Sequence, residues 1–197
     1  MNGELRYRER CLEKLGHAFR GDEALLDVGC GDGGVARLLR ERVGDVIAVD
    51  VERFDTWRDG PGLAFRVADG EQLPFAAGSF GVVHSKDSLH HMEHPERAVA
   101  EYRRVLEPGG HALIIEANRF NPVFYPHMTL ALGHEHFTRK RFHALVASAF
   151  PGARFGAFEA HYVPRLSLRI QQVIEEALER LPPFRPLLSY NFAVATV

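Results

Sequence analysis

The feature that most constrains this chain is residues 25–34, LLDVGCGDGG, in which four glycines follow a short apolar run. The apolar residues predict a buried strand over 24–28. A helix is predicted after the glycines, because four apolar residues share one face at helical spacing: Val35, Leu38, Leu39 and Val43. Glycine lets the backbone turn tightly and lets a ligand approach the helix N-terminus closely. The segment therefore predicts a cofactor-binding turn between a strand and a helix.

Strand-like and helix-like segments alternate along the rest of the chain. Further strands are predicted at 46–50, 64–69, 81–85, 111–117, 153–163 and 191–197. Four helices are predicted: one at 4–19, one that begins at Pro95 and stops at Pro108-Gly109-Gly110, one that begins after Thr138, and one at 166–181. In the last of these, the apolar residues form one stripe. This alternation predicts an α/β fold, a Rossmann-like, doubly wound, mostly parallel sheet with helices on both faces.

Length and composition predict one cytoplasmic domain, residues 1–197, that acts on small molecules. A chain of 197 residues is the usual size of a single domain. Its 24 basic and 26 acidic residues leave no net field to attract nucleic acid. Membrane insertion is not expected, because no run of eighteen apolar residues occurs. The charged start lacks a secretory signal, and the 2 cysteines make no disulfide framework.

Five blocks along the chain resemble a known family when they are taken together. In order they are LLDVGCGDGG, VIAVD, RVADGEQLPF, FGVVHSKDSLHHMEHPERAVAEY and RRVLEPGG. From Leu25 to Gly110 the chain resembles the class I S-adenosylmethionine-dependent methyltransferases, in particular the type 11 group that includes ubiquinone- and menaquinone-biosynthesis enzymes. The resemblance implies a seven-stranded sheet whose last-but-one strand, near the C-terminal edge, is antiparallel. It also implies S-adenosylmethionine as cofactor and S-adenosylhomocysteine as product.

The same resemblance implies a set of cofactor-binding residues. Asp50 would accept the two ribose hydroxyls, and Asp69 would accept the adenine amino group. Asp27 would order the glycine turn or reach the methionine ammonium group through water. A cap or turn role remains the alternative for Asp50 and Asp69. The expected set is Asp27, Gly29, Cys30, Gly31, Gly33, Asp50, Val51, Asp69, Gly70, Glu71, His84 and Ser85.

The acceptor side is less defined, because the family draws its acceptor contacts from outside these motifs. The sulfonium already makes the methyl carbon electrophilic, so positioning and desolvation can supply most of the rate, and a base is useful but optional. The candidate catalytic residues are Asp87, His91, His134 and His136, any of which could instead serve packing. His90, Asn118, Arg119 and Tyr125 are further candidates, and Phe120, Phe124 and Phe137 either line an acceptor pocket or are buried. Residues 1–20 and 118–137 are expected to cover the acceptor site.

The leading hypothesis is methyl transfer to an oxygen or nitrogen of a small molecule by a monomer or homodimer. No metal is expected, because the HEH sequence at 134–136 and His127 do not form a recognised ligand set. The segment HSKDS lacks the Asp/Asn-Pro-Pro-aromatic sequence of enzymes that methylate amino groups of nucleic acids. Two alternatives stay open. The glycine turn with Asp50 also suits a nicotinamide-dependent oxidoreductase, and the chain could be a non-catalytic cofactor-binding module.

Overall fold

The computed structural model describes residues 3–15, 19, 21–122, 125, 130, 133, 136–160 and 166–197. The strands are β1 Ala24–Val28, β2 Asp45–Asp50, β3 Leu63–Val67, β4 Phe80–Lys86, β5 Leu106–Ala117, β6 Arg154–Phe158 and β7 Tyr190–Thr196. The helices are α1 Gly3–Glu13, α2 Gly34–Arg40, α3 Pro95–Val105, α4 Arg139–Ala149 and α5 Leu168–Arg180. Short 3₁₀ helices span Leu89–His91 and Pro182–Leu187.

The seven strands form one sheet in the order β3-β2-β1-β4-β5-β7-β6. The first five strands of this order pair in parallel, and β7 is antiparallel to both of its neighbours. The predicted α/β fold class and the antiparallel last-but-one strand are therefore confirmed. Since β1 lies between β2 and β4, the carboxyl ends of these three strands meet at one edge of the sheet, where ligands bind in open α/β sheets.

Alternate residues of the central strands point to opposite faces of the sheet and enter different cores. Leu26 packs in a cluster with Tyr102 of α3 and Phe142 of α4. Its neighbour Leu25 packs on the other face, in a cluster with Leu39 of α2. Fully buried parallel strands need helices on both faces, which explains their continuous apolar runs. In the described part of the chain, no helix is long and apolar enough to cross a membrane.

Several element boundaries differ from the predicted ones. The first helix ends at Glu13 and β6 ends at Phe158, both earlier than predicted. Pro108-Gly109-Gly110 does not end α3, because the backbone is already extended at Leu106, where φ is −74° and ψ is 136°. This Pro-Gly-Gly segment lies within β5 instead. Residues 161–165, the end of the predicted strand 153–163, lie outside the described residues.

The apolar stripe of α5 faces solvent, although such a stripe usually covers a core. The buried residues of α5 are Gln171 and Glu175. Glu175 lies 3.1 Å from the guanidinium of Arg10 on α1. A second contact joins Lys14, just after α1, to Glu179. Helix α5 therefore packs against α1 through polar and charged groups and leaves its apolar side exposed.

Candidate active site

The glycine turn after β1 takes a backbone path that other residues would strain. Gly29, Gly31 and Gly33 have φ values of 76°, 51° and 77°, all in the left-handed region. The amides of Gly29 and Cys30 donate to the carbonyl of Val49, at 2.9 and 3.0 Å. The turn is thus tied to β2 and passes directly beneath the carboxyl edge of the sheet.

A cavity of about 700 Å³ opens beside this turn. Asp50, at the end of β2, lines it and accepts a hydrogen bond from the amide of Gly31 at 2.9 Å. Its other carboxylate oxygen accepts from the amide of Glu52 at 3.3 Å. Six expected cofactor residues line this cavity in addition to Asp50: Gly29, Gly31, Val51, Asp69, Gly70 and Glu71.

The far end of this cavity is formed by the turn after β3. Asp69 accepts a hydrogen bond from the amide of Glu71 at 2.8 Å through one carboxylate oxygen. The side chain of Glu71 accepts from the amide of His94 at 2.8 Å. A Cβ at Gly70 would lie 2.8 Å from the terminal methyl of Met92, so the Met92 side chain would have to shift to admit one. Asp69 therefore performs the turn role that the sequence left open, and it also borders the cavity.

A second cavity, of about 320 Å³, shares Gly29, Gly31 and Asp87 with the first. Asp27 and His84 line it and form a buried pair, with His84 Nδ1 2.7 Å from Asp27 Oδ1. The other oxygen of Asp27 and Nε2 of His84 are buried and find no hydrogen-bond partner among the described residues. A buried, unpartnered carboxylate oxygen is costly, so this position is suited to a ligand that donates a hydrogen bond.

The expected residue Cys30 also lines the smaller cavity. Burial, reinforced by Asp27 and Asp50, raises the pKa of its thiol well above the ordinary value. The side chain is therefore a neutral thiol at physiological pH. It supplies shape to the cavity and has no nucleophilic or metal-binding character of its own.

Lys86 and Asp87 form an ion pair at the end of β4, where Asp87 has a left-handed φ of 52°. Burial opposes both charges. Nevertheless, the pairing holds the pKa of Lys86 above its ordinary value and that of Asp87 below. The Lys86 ammonium lies 4.4 Å from the ring centre of Tyr190 on β7 and 5.7 Å from that of Tyr7 on α1. The two phenol oxygens contact each other, and burial raises both of their pKa values.

Helix α1 is fastened to the glycine turn by a two-pronged ion pair. Arg8 donates to both carboxylate oxygens of Asp32, at 2.7 and 3.1 Å. The hydrogen bond from Arg8 lowers the pKa of Asp32, because it favours the carboxylate. Arg8 also lines the smaller cavity, so α1 contributes a guanidinium group to the cavity that Asp27 borders.

The loop after β4 is held by a buried carboxylate that the sequence did not reveal. Glu116, on β5, accepts from the amides of Ser88 and Leu89, at 3.0 and 2.7 Å. It also lies 2.7 Å from Nδ1 of His90. Burial disfavours the imidazolium, but the bond and charge of Glu116 raise the pKa of His90 overall. Burial likewise raises the pKa of Glu116.

Of the four predicted catalytic residues, two border the larger cavity. His91 and Asp87 line it. The His90 ring lies 4.0 Å from the ring of His91 and 4.5 Å from that of His136. His136 itself is buried and lines neither described cavity. His134 lies outside the described residues.

Other predicted residues serve packing. Ser85 is fully buried and bonded to Ser88 at 2.7 Å, and it lines neither of the two cavities. Gly33 is also absent from their described walls, and a Cβ there would lie 2.5 Å from the Phe65 ring. Asn118 donates to the carbonyls of two residues, Pro186 and Leu188. Phe137 is buried in the main core, whereas Phe120 is 56% exposed. Phe124 lies outside the described residues.

In the described ranges of the chain, no group of three or more His, Cys, Asp or Glu side chains is arranged to hold a metal ion. The residues that sequence reasoning missed are Tyr7, Arg8, Lys86, Glu116 and Tyr190. Lys86 had a visible signal, since it stands next to Asp87 directly after the predicted strand 81–85, and a lysine is seldom buried without a partner.

The profile of the family described as "Methyltransferase domain" matches residues 26–114, the segment from β1 into β5 that carries the glycine turn and Asp50. Residues 26–114 therefore resemble a methyltransferase domain. The cofactor of this family is S-adenosylmethionine. The predicted family and cofactor are thereby confirmed.

Relatives of this methyltransferase domain agree with the match. Over 105 residues the chain is 37% identical to the ubiquinone/menaquinone biosynthesis C-methyltransferase of Bordetella avium, covering 48% of this chain and 41% of that protein. It is 28% identical over 139 residues to an uncharacterised methyltransferase of Synechocystis, covering 68% of this chain and 65% of that one. The chain thus spans less than half the length of the Bordetella relative.

Solved structures share the fold of the whole chain. An S-adenosylmethionine-dependent methyltransferase of Archaeoglobus fulgidus superposes with a TM-score of 0.72 at 17% identity, covering 100% of this chain and 95% of that one. The complex between the Haloferax volcanii Trm112 methyltransferase activator and a methyltransferase contains a chain that superposes with a TM-score of 0.68 at 17% identity. The superposition covers 99% of this chain and 94% of that one. At this identity the likeness establishes the fold alone.

Proposed function

We propose that the chain transfers a methyl group from S-adenosylmethionine to an oxygen or nitrogen of a small molecule. The observation that carries this proposal is the pair of adjoining cavities, one bordered by Asp50 and Asp69 and the other by Asp27. The first cavity suits an adenosine group and the second suits an amino-acid group. S-adenosylmethionine supplies an electrophilic methyl carbon when it is bound.

The residues present fit each part of this cofactor. Asp50 would hold the ribose hydroxyls with carboxylate oxygens that the amides of Gly31 and Glu52 already orient. Asp69 would accept the adenine amino group. The unpartnered oxygen of Asp27 would accept from the methionine ammonium group, and Arg8, which borders the same cavity, would face the carboxylate.

On the acceptor side, we propose His91 as the group that takes up a proton. It borders the larger cavity, as does Asp87. Asp87 is the weaker base, because Lys86 keeps its pKa below the ordinary value. The role of Asp87 would be to hold Lys86 in place and to exclude water from the junction of the two cavities. Positioning and desolvation would supply most of the rate.

We further propose that the chain is one domain and that α1 and the segment 118–137 cover the acceptor. Support comes from Tyr7 and Arg8 on α1, which line the smaller cavity, because this cavity adjoins the larger one through Asp87. Deleting α1 would be a poor test, because Cys11, Leu12 and Leu15 are buried in the core. Arg8→Ala is preferable, since it leaves those contacts intact.

The cofactor assignment is tested by calorimetric titration with S-adenosylmethionine, S-adenosylhomocysteine and NADH. Asp50→Ala should weaken the binding of both adenosyl compounds roughly 100-fold or more, since two charge-assisted hydrogen bonds are lost. Asp45→Ala is the matched control, because Asp45 is exposed at the opposite end of the same strand. Unchanged affinity in Asp50→Ala would refute the ribose contact. Binding of NADH alone would favour a nicotinamide-dependent oxidoreductase.

The catalytic assignment is tested with a panel of hydroxylated aromatics and amines. If His91 takes up the proton, His91→Gln should lower kcat about 100-fold or more and remove the acidic limb of the pH profile. A lower affinity for the cofactor with kcat unchanged would instead assign His91 to binding. Cofactor binding without turnover of any acceptor would favour the non-catalytic module.

A carbon acceptor is a second candidate. The Bordetella avium relative is named as a C-methyltransferase and is 37% identical over 105 residues. A carbon nucleophile requires an electron-rich ring, such as a hydroquinone, so such rings belong in the acceptor panel. Mass spectrometry of the product, with the methyl position assigned by NMR, separates carbon from oxygen or nitrogen methylation.

A further inference from the structure

The exposed side of α5 carries an ordered apolar stripe. Ile170, Ile174 and Ala177 on α5, and Leu181 directly after its end, are spaced by four, three and four residues along the chain. This is the spacing of a coiled-coil seam, in which each apolar residue inserts between residues of a facing helix. Ile170, Ile174 and Leu181 are 50%, 46% and 48% exposed. The seam therefore lacks a facing helix among the described residues.

The apolar surface continues past the end of the helix. Val173 flanks the seam at 61% exposure, and Phe184 and Leu187, on the 3₁₀ helix that follows, are 41% and 38% exposed. Half-exposed side chains of this size leave roughly 500 Å² of apolar surface per chain, or roughly 1,000 Å² for two chains. That is a large patch for a monomer, and it reaches the lower limit of a stable protein interface.

We propose that this face pairs with the same face of a second copy of the chain, with the two α5 helices antiparallel. Antiparallel packing sets Ile170 and Ile174 of one helix against Ala177 and Leu181 of the other, so that one stripe is complementary to itself. The buried side of α5 stays on α1 of its own chain through Glu175 and Arg10. The dimer interface thus lies one helix away from the smaller cavity.

The charges that flank the stripe favour a second copy over a lipid surface. Helix α5 carries two arginines, Arg169 and Arg180, against three glutamates. An interfacial membrane helix is instead rich in Lys and Arg on its polar side, which attracts anionic lipids.

The test is sedimentation equilibrium of the whole chain over a wide concentration range. The expected result is a mass of twice 22.1 kDa. Ile174→Glu should raise the dimer dissociation constant roughly tenfold or more, because it places an unpaired charge in the seam. Val67→Glu is the matched control, since Val67 is 56% exposed on β3. Strand β3 is at the edge of the sheet opposite to β6 and β7, the strands that α5 connects. Ile174→Leu should leave the dimer intact.

The outcomes separate the proposal from its rivals. A wild-type chain that stays at 22.1 kDa at every concentration would overturn the proposal, and so would a dimer that survives Ile174→Glu. Co-sedimentation with vesicles of anionic or neutral lipid, lost in Ile174→Glu, would assign the face to a membrane surface instead. The far-UV circular dichroism of Ile174→Glu should match that of wild type, since the side chain is half exposed before pairing.

Discussion

Substitution of Gly29 by Ala is the sharpest structural test of the glycine turn. Gly29 has a φ of 76°, a region that side chains with a Cβ rarely adopt. A Cβ at this position would lie 2.3 Å from Cβ of Ser88 and 2.9 Å from its hydroxyl oxygen. Two separate costs therefore act at one residue, backbone strain and a steric clash with the loop after β4.

The magnitude follows from these two costs. A left-handed conformation costs an L-residue about 1–2 kcal/mol, and forcing extra atoms into a packed site costs about 1–3 kcal/mol. Gly29→Ala should therefore lower the free energy of unfolding by about 2–5 kcal/mol. Gly31→Ala is the matched control, because Gly31 also has a positive φ, 51°, but its Cβ would meet nothing within 4 Å. That variant should show the strain alone.

Urea denaturation of both variants, at constant m-value, measures the difference. Ser88→Gly completes the experiment, because it removes both atoms that the new Cβ would strike. In the double variant Gly29→Ala with Ser88→Gly, the cost of the alanine should fall by about 1–3 kcal/mol, after correction for Ser88→Gly alone. Equal losses in Gly29→Ala and Gly31→Ala, or no coupling with Ser88→Gly, would refute the steric argument.

Three other variants probe the buried charges around the site. Glu116→Gln should cost about 3 kcal/mol of stability in urea denaturation, because it breaks a buried pair with His90. His90→Gln should change the pH dependence of stability. The pKa of His90 is raised by folding, so its contribution is complete below about pH 6.5 and is lost as pH rises through the folded value. The difference in free energy of unfolding between wild type and His90→Gln should shrink above about pH 6.5. A difference that stays constant with pH would contradict the raised pKa of His90. Arg8→Ala should change stability by less than about 1 kcal/mol, since the pair is partly exposed. If Arg8 faces the methionine carboxylate, titration of Arg8→Ala with S-adenosylmethionine should show roughly tenfold weaker binding.

The sheet could be predicted from the sequence because each strand is signalled locally. A short, mostly apolar segment such as 24–28 or 111–117 has few alternatives to a buried strand. The direction in which a helix faces is different, since an apolar stripe shows amphipathicity but not its partner. Helix α5 illustrates this, because Glu175 finds Arg10 of α1, 165 positions earlier in the chain, and this polar contact turns the stripe outward.

The candidate site also has a part that the sequence predicts locally, the strand-end aspartates, and a part that it does not, the group around Lys86. Asp27, Asp50 and Asp69 each follow or end a parallel strand, so the fold alone brings them to one edge of the sheet. The polar group beside them is assembled from distant elements. Tyr7 on α1 and Tyr190 on β7 are 183 residues apart and meet over Lys86. No local pattern predicts such a meeting, because it depends on how α1 and β7 dock on β4. Because Tyr7 and Tyr190 line the smaller cavity, their variants should weaken binding of the amino-acid part of the cofactor, whereas Asp50 variants should remove the ribose contact.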